Sequence, residues 1–86
     1  MYQLDLAENA VRDLSRFSPV EQSDILLDLE DLELDPFPPE ALPVQNPVTG
    51  SMGYFFKTPF YHVSYQVFEA DQRILVVGID RLFGSN

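Results

Sequence analysis

Lys57, His62 and Arg81 are the side chains whose types suit chemistry on a phosphate ester. Cleavage of RNA by its own 2′-hydroxyl needs a base for that hydroxyl, an acid for the leaving oxygen and positive charge beside the phosphate. Histidine gains and loses a proton near neutral pH, so His62, the only histidine, suits either proton-transfer role. The hypothesis requires the three to meet on one sheet face. Otherwise His62 is a polar residue on an exposed strand face, and the other two are ordinary surface cations.

A second group of residues is acidic and recurs at spacings of three and four in a segment that we predict to be helical. At about 100° per residue, this spacing places the carboxylates along one helix face. The face is either a solvated surface or a docking site for a basic helix or tail, and its central members are the candidate partner-binding residues. The residues of this face are Glu21, Asp24, Asp28, Asp31 and Asp35, of which Asp24, Asp28 and Asp31 are central.

No metal site or cofactor is predicted. An EF-hand holds its oxygen ligands on a looped segment of about 12 residues with a central glycine, whereas a straight helix spreads its carboxylates apart. The chain has no cysteine, which excludes disulfides and cysteine-based zinc or redox sites. The acidic segment therefore favours a protein partner over a metal ion.

Length and composition predict one cytoplasmic domain over residues 1–86. The N-terminus lacks a basic stretch followed by an apolar run, and no segment approaches the roughly 18 apolar residues of a membrane span. Fourteen acidic residues against five basic ones give a formal charge of −9. This charge opposes binding to ribosomes and messenger RNA and favours basic proteins.

Three strand-like runs must position the phosphate-ester candidates. The segment from Tyr61 to Val67 alternates in the period of two typical of a strand with two different faces. The run from Ile74 to Val77 has no alternation, which predicts a strand covered on both faces. The short polar connection from Glu69 to Gln72 makes these two strands antiparallel neighbours. A third run, Tyr54-Phe-Phe-Lys57, precedes them.

The first part of the chain changes from strand to helix periodicity. Residues 1–6 alternate like a short strand, and the apolar spacing from Ala7 to Phe17 indicates an amphipathic helix. A second helix is predicted from Pro19 to Leu34, because Ser18 suits an N-cap and Glu21 suits a capping box. Its main apolar stripe consists of Ile25, Leu29 and Leu32, while Val20, Leu27 and Leu34 lie towards the opposite side.

The proline-rich segment 35–50 is predicted to be a long loop, either packed down by Leu42 and Val44 or mobile and functional. The elements then run in the order β-α-α-β-β-β. We predict an α+β fold with a small antiparallel sheet and both helices packed on one face. The predicted buried residues are Val63, Tyr65, Val67, Leu75 and Val77 in the sheet and Leu14, Phe17, Ile25, Leu29 and Leu32 in the helices.

The sequence resembles the RelE/ParE superfamily of bacterial toxins from type II toxin–antitoxin systems. Members commonly show a helix ending in Asp-Pro with further prolines, then Tyr-Arg-x-Arg, then Tyr-Arg-Val-x-Tyr-x-Val and a last strand ending in Arg. The matching stretches are Asp35-Pro-Phe-Pro-Pro39, Tyr54-Phe-Phe-Lys57, Tyr61-His-Val-Ser-Tyr-Gln-Val67 and Ile74 to Arg81. The resemblance covers nearly the whole chain in element order.

This resemblance implies an activity and the residues that would carry it. RelE-type members cut messenger RNA on the ribosome with basic sheet residues and often a tyrosine or histidine, whereas ParE-type members inhibit DNA gyrase. Lys57 and Arg81 match basic family positions, but Phe55 and His62 stand where the motifs have arginine. The sequence also stops at Asn86, before the family's segment with a catalytic tyrosine.

Two functional hypotheses therefore remain. The first is a RelE/ParE-like toxin, or a protein derived from one, with weakened or lost messenger-RNA cleavage and a cognate antitoxin as partner. The second is a non-enzymatic, acidic protein-interaction module on the same fold, with another basic protein as partner.

Overall fold

The computed structural model describes residues 1–45, 47–48, 50 and 52–82. Within them lie two helices and five strands. The elements in chain order are β1 (Gln3–Leu6), α1 (Glu8–Leu14), α2 (Pro19–Leu34), β2 (Leu42–Gln45), β3 (Met52–Lys57), β4 (Tyr61–Phe68) and β5 (Arg73–Arg81). The predicted α+β class is confirmed.

The strands form one sheet in the order β1-β5-β4-β3-β2. Strand β4 lies between β3 and β5 and is antiparallel to both, as predicted. Strand β1, however, runs parallel to β5, with Gln3 opposite Arg73 and Leu6 opposite Val76. The sheet is therefore mixed, and the expectation of a wholly antiparallel sheet was wrong. The four residues of β1 carry no local signal for pairing direction, because their partner strand lies near the other end of the described chain.

Part of the predicted loop 35–50 is the edge strand β2, a second correction. Leu42 pairs with Phe55 and Pro43 with Tyr54. A proline lacks the amide hydrogen that a central strand needs, but an edge strand tolerates it. The prolines concealed this strand in the sequence. The segment therefore joins the sheet at this point by strand pairing, whereas the side chains expected to pack it down, Leu42 and Val44, are exposed.

Helix α2 begins and ends where the sequence predicts. The Ser18 hydroxyl accepts a hydrogen bond from the Glu21 amide at 3.2 Å, and the Glu21 carboxylate accepts one from the Ser18 amide at 2.8 Å. Together they form the predicted capping box. Helix α1 ends at Leu14, earlier than expected, and a tight turn leads on to Phe17. Neither of these helices is long and apolar enough to cross a membrane.

The hydrophobic core lies between the helices and one face of the sheet, which we call the helix face; the other is the open face. The predicted helix residues Phe17, Ile25, Leu29 and Leu32 are buried, and Leu14 is partly buried. The sheet contributes Phe56, Tyr61, Val63, Tyr65, Ile74, Val76 and Ile79.

Strand β5 buries different residues from those expected. Leu75 and Val77 are only half-buried, whereas Ile74, Val76 and Ile79 are buried. The cause is a β-bulge: Val63 lies opposite Ile79 and Tyr65 opposite Val76, which leaves Val77 as the extra residue. The bulge reverses the alternation, so residues on both sides of it face the helices. Val67 is also only half-buried.

Candidate functional site

Lys57 and His62 are cross-strand neighbours on the open face, at the end of the sheet where β3 ends, β4 begins and β5 ends. Lys57 lies opposite His62 in the β3–β4 ladder, and His62 lies opposite Asp80 in the β4–β5 ladder. The His62 Nε2 atom is 3.1 Å from Asp80 Oδ2. The ring of Phe55 meets the imidazole edge to face, with the centroids 6.0 Å apart. A carboxylate bonded to one ring nitrogen fixes the orientation of a histidine, so this pair could transfer a proton at the second nitrogen.

Arg81 extends to the helix face. It lies opposite the buried Tyr61, and its guanidinium donates two hydrogen bonds to the Glu21 carboxylate, at 2.9 and 3.3 Å. The guanidinium carbon also lies 4.5 Å from the centroid of the Phe17 ring. This two-pronged ion pair on an aromatic ring uses both recognition surfaces of the guanidinium. The predicted trio is therefore not assembled on one face in this structure.

The ion pair with Arg81 favours the ionised form of Glu21. Hydrogen bonds from the Arg81 side chain and then from the Ser18 amide lower the pKa of Glu21 from its ordinary 4.5 to about 2. The Glu21 carboxylate correspondingly raises the pKa of Arg81. Both residues remain charged through the whole physiological range. Arg81 thus links the end of β5 to the start of α2.

We expect Glu21→Gln to remove part of the acid sensitivity of folding. Because the pKa of Glu21 is lower in the folded chain, its ionisation stabilises the fold above about pH 4.5, and that contribution is lost as the pH falls towards 2. Glutamine keeps the shape of the capping box. Urea unfolding over a pH series should therefore show a stability gap between wild type and variant that is full at neutral pH and closes in acid.

Glu8→Gln is the control for this experiment. The Glu8 carboxylate is almost wholly exposed and its ion pair with Arg12 is long, at 3.8 Å, so the pair adds little stability. Its gap should be small at every pH. A gap for Glu21→Gln that stayed constant from neutral pH to acid would contradict the assignment.

The three candidate partner-binding carboxylates lie in different surroundings. Asp24 and Asp31 are exposed, and neither side chain forms a hydrogen bond or ion pair with any residue that the structure describes. Asp28 is half-buried and accepts a hydrogen bond from the hydroxyl of Tyr61. Burial, and then the Asp28 carboxylate, raise the pKa of Tyr61, so the phenol keeps its proton. Asp28 therefore has a structural role, and Asp24 and Asp31 are available to a partner.

The open face carries a shallow groove of about 470 Å³ between β2 and β5. Its floor includes Phe55, Ser64, Gln66 and Val77, and none of the described residues lining it is lysine or arginine. Elsewhere on the sheet, Arg73 is 3.1 Å from Asp5. Among the described residues, no group of three or more Asp, Glu or His side chains could hold a metal ion. Apart from His62, the described lining of the groove therefore offers apolar and uncharged polar contacts, without a lysine or arginine to bind phosphate.

Several functional contacts had no local signal in the sequence. Asp80 was not singled out as the partner of His62, and the link between Asp28 and Tyr61 spans 33 residues. The ion pair and ring contact of Arg81 involve Glu21 and Phe17, and Glu21 is 60 residues away from Arg81 in sequence. The predicted capping box was the one sequence signal that Glu21 has a fixed position.

The arrangement of helices and strands is that of RelE toxins. A chain of the toxin–antitoxin complex RelBE2 from Mycobacterium tuberculosis superposes with a TM-score of 0.79 at 17% identity, over 93% of this chain and 96% of that one. The archaeal RelE–RelB complex from Pyrococcus horikoshii gives 0.79 at 21% identity, over 99% and 98% of the two chains. The isolated RelE toxin of Escherichia coli gives 0.65 at 16% identity, over 100% and 89%.

The chain therefore has a RelE-like toxin fold, as the resemblance implied. No protein-family model matches the sequence, and no curated protein sequence matches it. At these identities the structural similarity establishes the fold, and activity must be inferred from the residues of this chain.

Proposed function

We propose that this chain is a RelE-like toxin, or a cytoplasmic protein derived from one, whose messenger-RNA cleavage is weakened or lost. The proposal joins the fold to the state of the three candidate catalytic residues. The observation that carries it is the position of Arg81, bound to Glu21 and Phe17 on the helix face while His62 and Lys57 lie on the open face.

The electrostatics of the open face support reduced activity. Stabilising a phosphate in its transition state needs positive charge placed beside it. His62 and Arg73 each lie 3.1 Å from a carboxylate, which offsets the charge each could offer to a phosphate. Lys57 is the remaining exposed cation at the ends of β3 to β5. Against a formal charge of −9, one lysine provides little attraction for RNA.

An antitoxin is the proposed partner. Two of the three similar structures named above are toxin–antitoxin complexes, and the acidic charge of this chain would attract a basic segment of such a protein. A small neighbouring reading frame that encodes a DNA-binding antitoxin would support this assignment.

The activity test compares growth and translation after expression of the wild type, the triple variant Lys57→Ala/His62→Ala/Arg81→Ala and an active RelE toxin. Removing one well-placed catalytic group commonly costs about 10² to 10³ in rate, so we expect cleavage at least about a hundredfold below that of the active toxin. Wild type and triple variant should have nearly the same weak effect. Strong growth arrest with ribosome-dependent cleavage that disappears in the triple variant would overturn the proposal.

The second candidate is a non-enzymatic interaction module on the same fold. It is favoured by the exposed carboxylates of Asp24 and Asp31, which have no ion-pair partner among the described residues. An isolated gene, and binding of a basic protein without any effect on translation, would support this candidate over a toxin.

A further inference from the structure

The outward side of α2 carries a regular stripe of apolar and acidic residues. Its members recur at alternating spacings of four and three residues and are Val20, Asp24, Leu27, Asp31 and Leu34. This is the spacing with which one helix contacts another. We call these five residues the outer seam. It lies on the side of α2 away from the buried Ile25, Leu29 and Leu32.

The apolar members of the outer seam are unusually exposed for their size. Val20 is 72% exposed, Leu27 59% and Leu34 70%. Single exposed apolar residues are common on proteins, but these three recur on one stripe of one helix. Covering them with a partner would remove a continuous apolar stripe from water, which favours binding.

A cleft of about 510 Å³ adjoins the outer seam at Asp24 and Leu27. Ile25 and Tyr61 line its base, and Phe60, 71% exposed in the turn between β3 and β4, lines the other side. The cleft therefore combines apolar walls with a carboxylate at the edge shared with the outer seam. An aliphatic stem with a terminal cation, as in lysine or arginine, fits this combination.

Arg81 shows how this part of the surface binds such a group. Its guanidinium stacks on Phe17 and pairs with Glu21, and both of these residues also line the cleft. Asp24, one helical turn from Glu21, lines the same cleft as Phe60, so the cleft contains a second carboxylate and a second aromatic ring. The chain itself thus demonstrates one cation site, and the cleft provides the components of another.

Charge decides which kind of helix fits the outer seam. A second copy of this chain also carries a formal charge of −9, so two outer seams would bring Asp24 and Asp31 against each other. We propose that the outer seam and its cleft dock an amphipathic helix of a partner protein, with leucine-like residues at helical spacing and lysine or arginine between them. This inference rests on the proposed partner binding and gives it a location and a chemistry.

A designed peptide tests the site directly. The probe is a helical peptide with leucine and lysine alternating along one face; the comparison peptides are a scrambled version and one with glutamate in place of lysine. We expect the leucine–lysine peptide to bind, with NMR shift changes concentrated at Val20, Leu27, Leu34 and Phe60. Neither comparison peptide should bind measurably.

Variants separate this site from general attraction to an acidic protein. Asp24→Lys/Asp31→Lys should weaken binding of the leucine–lysine peptide by about tenfold or more, and should gain binding of the leucine–glutamate peptide. Glu69→Lys/Asp71→Lys, in the exposed turn between β4 and β5, makes the same change in net charge away from the outer seam. This control should retain most of the affinity.

Leu27→Asn tests the apolar part of the outer seam and should also weaken binding by about tenfold. Equal weakening by both charge variants, shift changes spread over the whole surface, or stable pairing of the chain with itself through α2 would each overturn the inference.

The peptide experiment is independent of toxicity and of cleavage. If the peptide does not bind but the chain still binds an antitoxin elsewhere, the outer seam is not a docking site and the proposed function stands. If the peptide binds but no antitoxin does, the site stands and the toxin assignment fails.

Discussion

Replacing Leu29 with alanine is expected to lower the free energy of unfolding by about 2 to 5 kcal/mol. Leu29 lies in the middle of α2, is 2% exposed and packs in the core against the helix face of the sheet. The loss combines the removed apolar contacts with the cavity left behind. Urea unfolding followed by circular dichroism measures it, because a chain of this size is expected to unfold in one cooperative step.

Leu27→Ala is the matched control, since it removes the same atoms from the same helix at an exposed position. We expect a change of about 0.5 kcal/mol or less. Similar losses for the two variants would mean that α2 faces the sheet in a different orientation.

Replacing Ile79 with alanine is expected to lower the free energy of unfolding by about 2 to 5 kcal/mol, the second large effect. Ile79 lies in β5 opposite Val63, is 2% exposed and packs in the core. Val76 is buried as well, three positions earlier, and the extra residue Val77 is what allows both side chains to face the helices.

Val77→Ala is the control, because Val77 is only half-buried and lines the groove on the open face. We expect it to cost about 1 kcal/mol or less. Urea unfolding measures both variants. Similar losses for Ile79→Ala and Val77→Ala would show that the bulge does not determine which residues of β5 are buried.

Local signals were sufficient for helix α2. Ser18 and Glu21 determine where α2 begins, because each satisfies a backbone or side-chain group within the same turn. The Asp35-Pro36 step ends the helix for an equally local reason. Leu29 and its neighbours then follow from a period of 3.6 residues. Predictions of this kind need no knowledge of the rest of the chain.

Strand pairing could be predicted only in part, because it depends on distant residues. The antiparallel pairs β3–β4 and β4–β5 follow from short connections, whereas the parallel pairing of β1 with β5 joins the two ends of the described chain. Beyond the bulge, the Ile79 amide likewise donates a hydrogen bond to the Asp13 carboxylate, which is 66 residues away. A strictly alternating interpretation of β5 therefore assigned its faces incorrectly.

The candidate site also has one part that local sequence predicts and one part that depends on distant residues. That Lys57 and His62 lie near each other follows from the predicted hairpin. That Arg81 lies on the other face follows only from Glu21 and Phe17, because Glu21 is 60 residues away from Arg81 in sequence. Residue type alone could not distinguish an arginine that binds phosphate from one that links two elements.

The parallel pair of β1 and β5 also has a consequence for how the chain is made. Strand β1 and both helices leave the ribosome before β5, the strand that supplies Ile74, Val76 and Ile79 to their core. Until then, the buried faces of α1 and α2 have only β1, β2, β3 and β4 to pack against, and β1 has no neighbouring strand. Completion of the fold must therefore wait for nearly the whole chain, and such long-range pairing is intrinsically slow. During that interval the nascent chain exposes an unpaired strand and apolar helix faces to chaperones and to any partner already present.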